Sequence, residues 1–209
     1  MFASGDVRYA VVENIVVILD LRANEYVMLD AQSSKIWQQL LANGASSKDH
    51  EIFARECTDR GYLRFDPPAT SAYPRRLRTR HVPLVLYALY ALRDATRALA
   101  QRGFALSYRR YASLEKPRSP QIPGARRLAK VERAFRFAEN FFEHPSAPND
   151  CLSRSLALYQ LLIYAGFSPE HRIGVRLHPF RAHAWVVCSG HPIGDSPGNV
   201  QQYAAIAVL

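Results

Sequence analysis

"PNDCLSRSLALYQLLIYAG" (residues 148–166) sets a cysteine directly behind a Pro-Asn-Asp cluster and directly ahead of an apolar run closed by glycine. Asn149 or Asp150 can cap a helix at this point, and Gly166 can end it. Cys151 then falls in the first turn, while Leu152, Leu156, Tyr159 and Ile163 recur at helical spacing and predict one buried side. A thiol in a first turn meets unpaired backbone N–H groups and the positive end of the helix dipole. Both favour a thiolate, and the same N–H groups can receive a developing oxyanion. The stretch alone reads first as the site of a buried structural cysteine. A nucleophilic thiol needs a base.

Seven histidines are available. His50, His81, His144 and His171 read as loop or polar-helix positions on the surface, and His178 lies in a hairpin loop. His183 opens "HAWVVC", which alternates like a strand, and His191 follows its turn. A rigid element positions a base best, so His183 is the expected one. The turn after this strand contains Ser189-Gly190 and allows two registers. A two-residue loop pairs Cys188 with His191 and puts His183 and Asp195 on opposite faces. A three-residue loop, Cys188-Ser189-Gly190, gives the glycine the left-handed position such turns use. It sets Val187 against His191 and His183 directly opposite Asp195, with Cβ atoms about 4.5–5.5 Å apart. The expectation is the second register, giving Cys151 as nucleophile, His183 as base and Asp195 as its orienter. Cys188 then faces away from His183.

Working outward, residues 7–29 alternate strand-like runs ("VRYAVV", "IVVILDL", "EYVML") with turn signals at Glu13-Asn14 and "RAN", and predict a three-stranded meander. Two helices follow. "DAQSSKIWQQLLANG" is capped by Asp30 or Ser33, buries Ile36, Trp37, Leu40 and Leu41, and stops at Asn43-Gly44. "SSKDHEIFARECTDRG" turns Ile52, Phe53 and Cys57 inward and ends at Gly61, so Cys57 is expected in a core. Residues 1–66 thus read as a small winged-helix-like module. "DPPATSAYPRR" marks a basic, Pro-rich linker at 67–80. Residues 81–209 form the second domain, with a long helix in "PLVLYALYALRDATRALAQRG", a loop at "KPRSPQIPG" and an amphipathic helix in "ARRLAKVERAFRFAENFF".

Composition sets the outer bounds. At 209 residues with 48% hydrophobic and 22% charged residues, the chain is an ordinary α+β globular candidate with no apolar run long enough for a bilayer. The start, "MFASGDVRYA", shows no secretory signal. Three cysteines with no CxxC pair argue against a disulfide framework, so a cytoplasmic protein with reduced thiols is expected. Cys188 and His191 lack a second ligand pair, so no metal site is expected.

With the helix-mouth cysteine, "RAHAWV" and "GDSP" in that order, the C-terminal part resembles transglutaminase-like (papain-like) cysteine peptidases. "NDCLSRSLALYQLL" and "IGVRLHPFRAHAWVVCSGHPIGDSP" more closely resemble the B proteins of lasso-peptide biosynthesis. "VILDLRANEYVMLDAQSSKIWQQL" is similar to the leader-recognition element fused to some of them. The resemblance implies removal of the leader from a ribosomal precursor peptide, with Cys151, His183 and Asp195 in the roles above. It also implies handing the core peptide to an ATP-using cyclase. No cofactor is expected on the chain itself, and any ATP dependence conferred by the cyclase is left open. The family more often has an acidic residue after the strand, where this chain has "VVCSGHPIGD".

A meander must leave one strand edge without a backbone partner. The expected leader site is the edge of "EYVML" (Tyr26, Val27, Met28, Leu29) beside the helix carrying Ile52, Phe53 and Glu56, where a peptide adds as a further strand. Two other classes compete. An acyltransferase of the arylamine N-acetyltransferase type uses the same triad but has no use for a peptide-binding module. A winged-helix nucleic-acid binder is prompted by the net charge of +9. Its helix "SSKDHEIFARECTDRG" carries at least as many acids as bases, a poor surface for phosphate.

Overall fold

A computed structural model describes residues 1–66, 82–117, 124–141 and 151–209. The expected linker, the capping pair Asn149-Asp150 and most of the "KPRSPQIPG" loop lie outside the described residues.

After a short strand β1 (Phe2–Ala3), the strands β2 (Val7–Val12), β3 (Ile15–Asp20) and β4 (Glu25–Met28) form the expected antiparallel meander in that order. Its turns use the residues that tolerate left-handed backbone: Glu13 and Asn14 at φ 51° and 68°, then Asn24 at φ 57°. β3 is buried from Val16 to Asp20, as a central strand covered by helices must be. Helix α1 (Ala31–Asn43) starts where Asp30 Oδ1 accepts the N–H groups of Gln32 and Ser33, each at 2.9 Å, and ends at Gly44. Trp37 and Leu40 are its fully buried anchors. The buried hydroxyl of Ser34 accepts the Val16 N–H at 2.9 Å, fixing the helix to the central strand.

Helix α2 (Lys48–Asp59) is capped by the Ser47 hydroxyl. Its buried face carries Ala54 and Cys57, with Phe53 packed at the margin. Ile52, expected inward, is 60% exposed. Two residues are about 200° of helical rotation, so a face centred on Ala54 necessarily turns Ile52 outward. β5 (Leu63–Arg64) closes the module by pairing with β1.

Helix α3 (Leu84–Ala112) is broken at Gly103 (φ 72°, ψ 177°), a conformation that costs any side-chain-bearing residue. The Arg110 guanidinium donates to the Asp94 carboxylate at 2.7 and 2.9 Å. In a straight helix those residues would lie about 24 Å apart, so the segment after Gly103 folds back on the one before it. Helix α4 (Ala125–Phe141) buries Val131, Ala134, Phe135 and Ala138 on one side, as its periodicity predicts.

Helix α5 (Cys151–Tyr164) departs from expectation. Ser153 and every residue from Ser155 to Ile163 are buried, not one side alone. α3 and α4 both pack against it, and Leu156, Leu158 and Leu161 share a core with Val186, Cys188 and Ile193 of the sheet. A helix apolar all round is a central helix. Gly166 reverses the chain at φ 87°, with Phe167 N–H on Leu162 C=O.

The sheet contains β6 (Glu170–Arg176), β7 (Arg181–Cys188), β8 (His191–Ile193) and β9 (Ala204–Val208), with a short helix α6 (Pro197–Val200) before β9. The strand order is β8-β7-β6-β9. β9 was not anticipated from sequence. His171, expected on the surface, is fully buried in β6, its ring edge-on to Tyr108 and Tyr159 and its Nε2 2.9 Å from Ser155 Oγ. Burial drives its pKa down to about 3, so it stays neutral. The described residues divide into two compact units. One comprises the N-terminal residues through β5 with Val175–Arg181 and Ala204–Ala207, and the other holds the remainder. Among the described residues no helix is long and apolar enough to cross a membrane.

Candidate active site

Cys151 is the first residue of α5 and is partly exposed. Its side chain lines one pocket with His183 of β7 and with Asp195, close enough to the imidazole to favour its protonated form. The His183 Nε2–H donates to Asp195 Oδ2 at 2.5 Å, which leaves the other ring nitrogen for the thiol. The three side chains proposed from sequence are therefore brought together, with the helix mouth, the strand and the segment after β8 each supplying one.

The route to this geometry is not the expected one. Cys188 pairs with His191, Val187 with Pro192 and Val186 with Ile193. The turn is Ser189-Gly190, both at positive φ (52° and 81°). This is the two-residue register, in which an extended strand would carry Asp195 to the face away from His183. The strand does not extend that far. β8 ends at Ile193, and Gly194 at φ 73° breaks the alternation and swings Asp195 back to the histidine. The three-residue register is thus overturned while the carboxylate keeps its partner.

Each charge has an identifiable cause. The His183 pKa is raised: the hydrogen bond with Cys151 favours the imidazolium, burial opposes it, and the Asp195 carboxylate adds to the first. Burial works against the Asp195 charge, but hydrogen bonds from His183, Asn199 and the Ser196 N–H outweigh it and hold the carboxyl below its usual range. The result is a carboxylate aimed at an imidazole whose protonated form it favours.

Several neighbours were missed in the sequence. The His183 ring lies 5.9 Å from Trp185 in near-parallel planes and 5.2 Å from Tyr203. The His183–Trp185 pair was legible, since residues two apart on a strand share a face. Asn199 donates to Asp195 Oδ1 at 2.9 Å. Arg154, one turn beyond Cys151, lines the same pocket and forms an ion pair with Glu139 of α4.

The other thiols are unlike Cys151. Cys57 is buried in the N-terminal core with its pKa pushed up to about 11, and burial likewise raises Cys188, which faces the core away from His183. Iodoacetamide at neutral pH should therefore carboxamidomethylate Cys151 first, by at least about tenfold in rate over either other thiol. Peptide mapping of briefly treated folded protein checks this, and equal labelling would mean that no thiol is activated.

The residues proposed for peptide binding lie in the N-terminal unit. β4 is an edge of its sheet. Val27 and Leu29 pack on the core with Phe53, whereas Met28 is 54% exposed and Tyr26 sits edge-on to Phe180. Glu56 is exposed and paired with Arg60.

Residues 89–208 match the family model described as the transglutaminase-like superfamily. Over 61 residues the chain is 37% identical to the microcin J25-processing protein McjB of Escherichia coli. That match covers 29% of this chain and 29% of the relative. No solved structure matches. The family match takes in the strand that carries His183, the helix mouth at Cys151 and the loop of Asp195, and the chain belongs to the transglutaminase-like superfamily.

Proposed function

We propose that this protein is a cysteine peptidase that removes the leader of a ribosomally made precursor peptide during lasso-peptide maturation in the cytoplasm. Residues 1–66 act as a winged-helix-like recognition module and 67–80 as a linker, and 81–209 act as the peptidase. The observation that carries the reading is the convergence of Cys151, His183 and Asp195 on one pocket, with the imidazole hydrogen-bonded to the carboxylate. The partial likeness to a protein named for microcin processing supports the substrate class. An ATP-using cyclase is the expected recipient of the core peptide.

In this mechanism the Cys151 thiol has already passed its proton to His183, and the thiolate Sγ bonds to the scissile carbonyl carbon. The oxyanion is received by backbone N–H groups at the mouth of α5. Collapse breaks the C–N bond, and His183 gives its proton to the departing amine. Water then attacks the thioester, with His183 taking its proton and returning it to Sγ, which frees the leader as a carboxylic acid. Asp195 holds the imidazole in orientation without reacting. Incubation with precursor should yield two fragments whose masses sum to the precursor plus one water. A product lacking that water would instead indicate acyl transfer.

The leader is proposed to add along the β4 edge, with Tyr26, Val27, Met28 and Leu29 on the strand side and Ile52, Phe53 and Glu56 on α2. Met28 and Ile52 are large apolar side chains held out to solvent in the same unit. In a full-length Cys151→Ala protein, Met28→Asp and Ile52→Glu should each weaken a fluorescent leader peptide about tenfold or more, the cost of placing a charge in an apolar contact. Anisotropy titration measures it. Unchanged affinity in both variants would remove this edge as the leader site.

A further inference from the structure

Three donors converge on the Asp195 carboxylate. His183 Nε2 holds Oδ2, while Oδ1 receives the Ser196 backbone N–H at 2.7 Å and the Asn199 side-chain amide at 2.9 Å. Asn199 lies one turn further on in α6, a helix started by Ser196, whose hydroxyl accepts the Asn199 N–H at 3.2 Å, with Pro197 at the first helical position. The Asn199 nitrogen is also 3.5 Å from His183 Nε2. Both are donors once the imidazole N–H is committed to the carboxylate, so that contact is not a hydrogen bond. The amide therefore acts on the carboxylate.

Resting on the peptidase reading above, we propose that Asn199 is a positioning residue: its side-chain amide fixes the Asp195 carboxylate so that Oδ2 stays on His183. The need for such a device follows from the register. Asp195 is not held by the ladder, which stops at Ile193, and it reaches His183 only after the reversal at Gly194. A carboxylate on an irregular segment can rotate about its side-chain bonds, and a single bond to the imidazole leaves that rotation open. The Ser196 N–H and the Asn199 amide anchor the second oxygen and close it. Each is a charge-assisted hydrogen bond, stronger than a neutral one. Arg154 on α5 and Glu132 and Arg136 on α4 are the other charged groups lining the pockets at Asp195, and the variants below leave them unchanged.

The test compares Asn199→Leu, which keeps the branched shape without a donor, with Asn199→Gln, which keeps the amide. Two readouts are taken: kcat and KM for precursor cleavage, and the NMR titration of the His183 ring in free protein. Leu should lower kcat about tenfold with KM little changed, the loss of one charge-assisted bond. It should also make His183 lose its proton at lower pH than in the wild type, because the aimed carboxylate is one of the two groups that favour the imidazolium. Gln should restore most of both. Leu behaving as wild type in the titration, or Leu and Gln losing kcat equally, overturns the proposal. If Leu fails to fold by circular dichroism, Asn199→Ala at this half-buried position gives the same comparison. The titration needs no substrate. Failure of the wild type to cleave precursor would thus sink the peptidase reading and still leave the role of Asn199 decided.

Discussion

Cys151→Ala should abolish leader cleavage, lowering kcat/KM by at least about 10³-fold, while the melting temperature moves by no more than a few degrees. The two halves of this expectation have separate causes. Sγ is the atom that bonds to substrate, and removing it leaves only binding and the oxyanion site. The residue is also partly exposed at the end of α5, so truncation opens no core cavity. His183→Ala should lose as much, because nucleophile and base act as one unit and their removals do not add. Mass spectrometry of precursor incubated with each variant, beside a thermal melt, checks both halves. Full turnover by either variant would end the peptidase assignment.

Asp195→Asn should impair without abolishing, lowering kcat by about 10²–10⁴-fold. It should also change the pH profile in a definite direction. In the folded protein the His183 pKa is raised, with the thiol as first cause and the carboxylate as a further one. The histidine therefore keeps its proton above its ordinary value of about 6.5, and the alkaline limb of kcat/KM lies higher than an isolated histidine would place it. An amide in place of the carboxylate removes a negative charge that favoured the imidazolium. The alkaline limb should move to lower pH, the opposite of what loss of a positive neighbour would do. An unmoved limb with reduced kcat would mean that Asp195 contributes geometry alone.

The parts of the chain that were legible in the sequence are those whose signals are local. Asp30 and Gly44 mark the two ends of α1 through hydrogen bonds and backbone angles that depend on a few neighbours. Glu13-Asn14 forms its turn for the same reason. The cysteine and the histidine were legible because each stands near the start of such an element, whereas the aspartate was named through a register the hairpin does not adopt. What escaped depends on tertiary surroundings. Periodicity shows which side of a helix is most apolar, but not that α3, α4 and the sheet enclose α5 from all sides. It gave no sign that the polar His171 is sealed in β6 beside Ser155.

The hairpin register was misread because a left-handed Gly190 suits a three-residue turn, whereas Ser189 takes positive φ as well and closes the turn in two residues. A compensating error hid the consequence, since Gly194 returned Asp195 to the face the wrong register had assigned. Asn199 had an available signal. "DSPGN" reads as N-cap Ser196 with Pro197 at the first helical position, which places residue 199 within one turn of Asp195.

The three thiols of the chain are all unpaired, and two are enclosed in apolar cores. A redox-regulated thiol usually stands near a second thiol that converts its sulfenic acid into a recoverable disulfide. Cys57 and Cys188 are too enclosed to serve Cys151 in that way. Peroxide reaching the partly exposed sulfur of Cys151 therefore has two outcomes. An external thiol such as glutathione can cap the sulfenic acid reversibly, or oxidation can proceed to the sulfinic acid and retire the molecule. The endurance of this protein under oxidative stress is thus set by the small-molecule thiols around it, with no rescue encoded in its own fold.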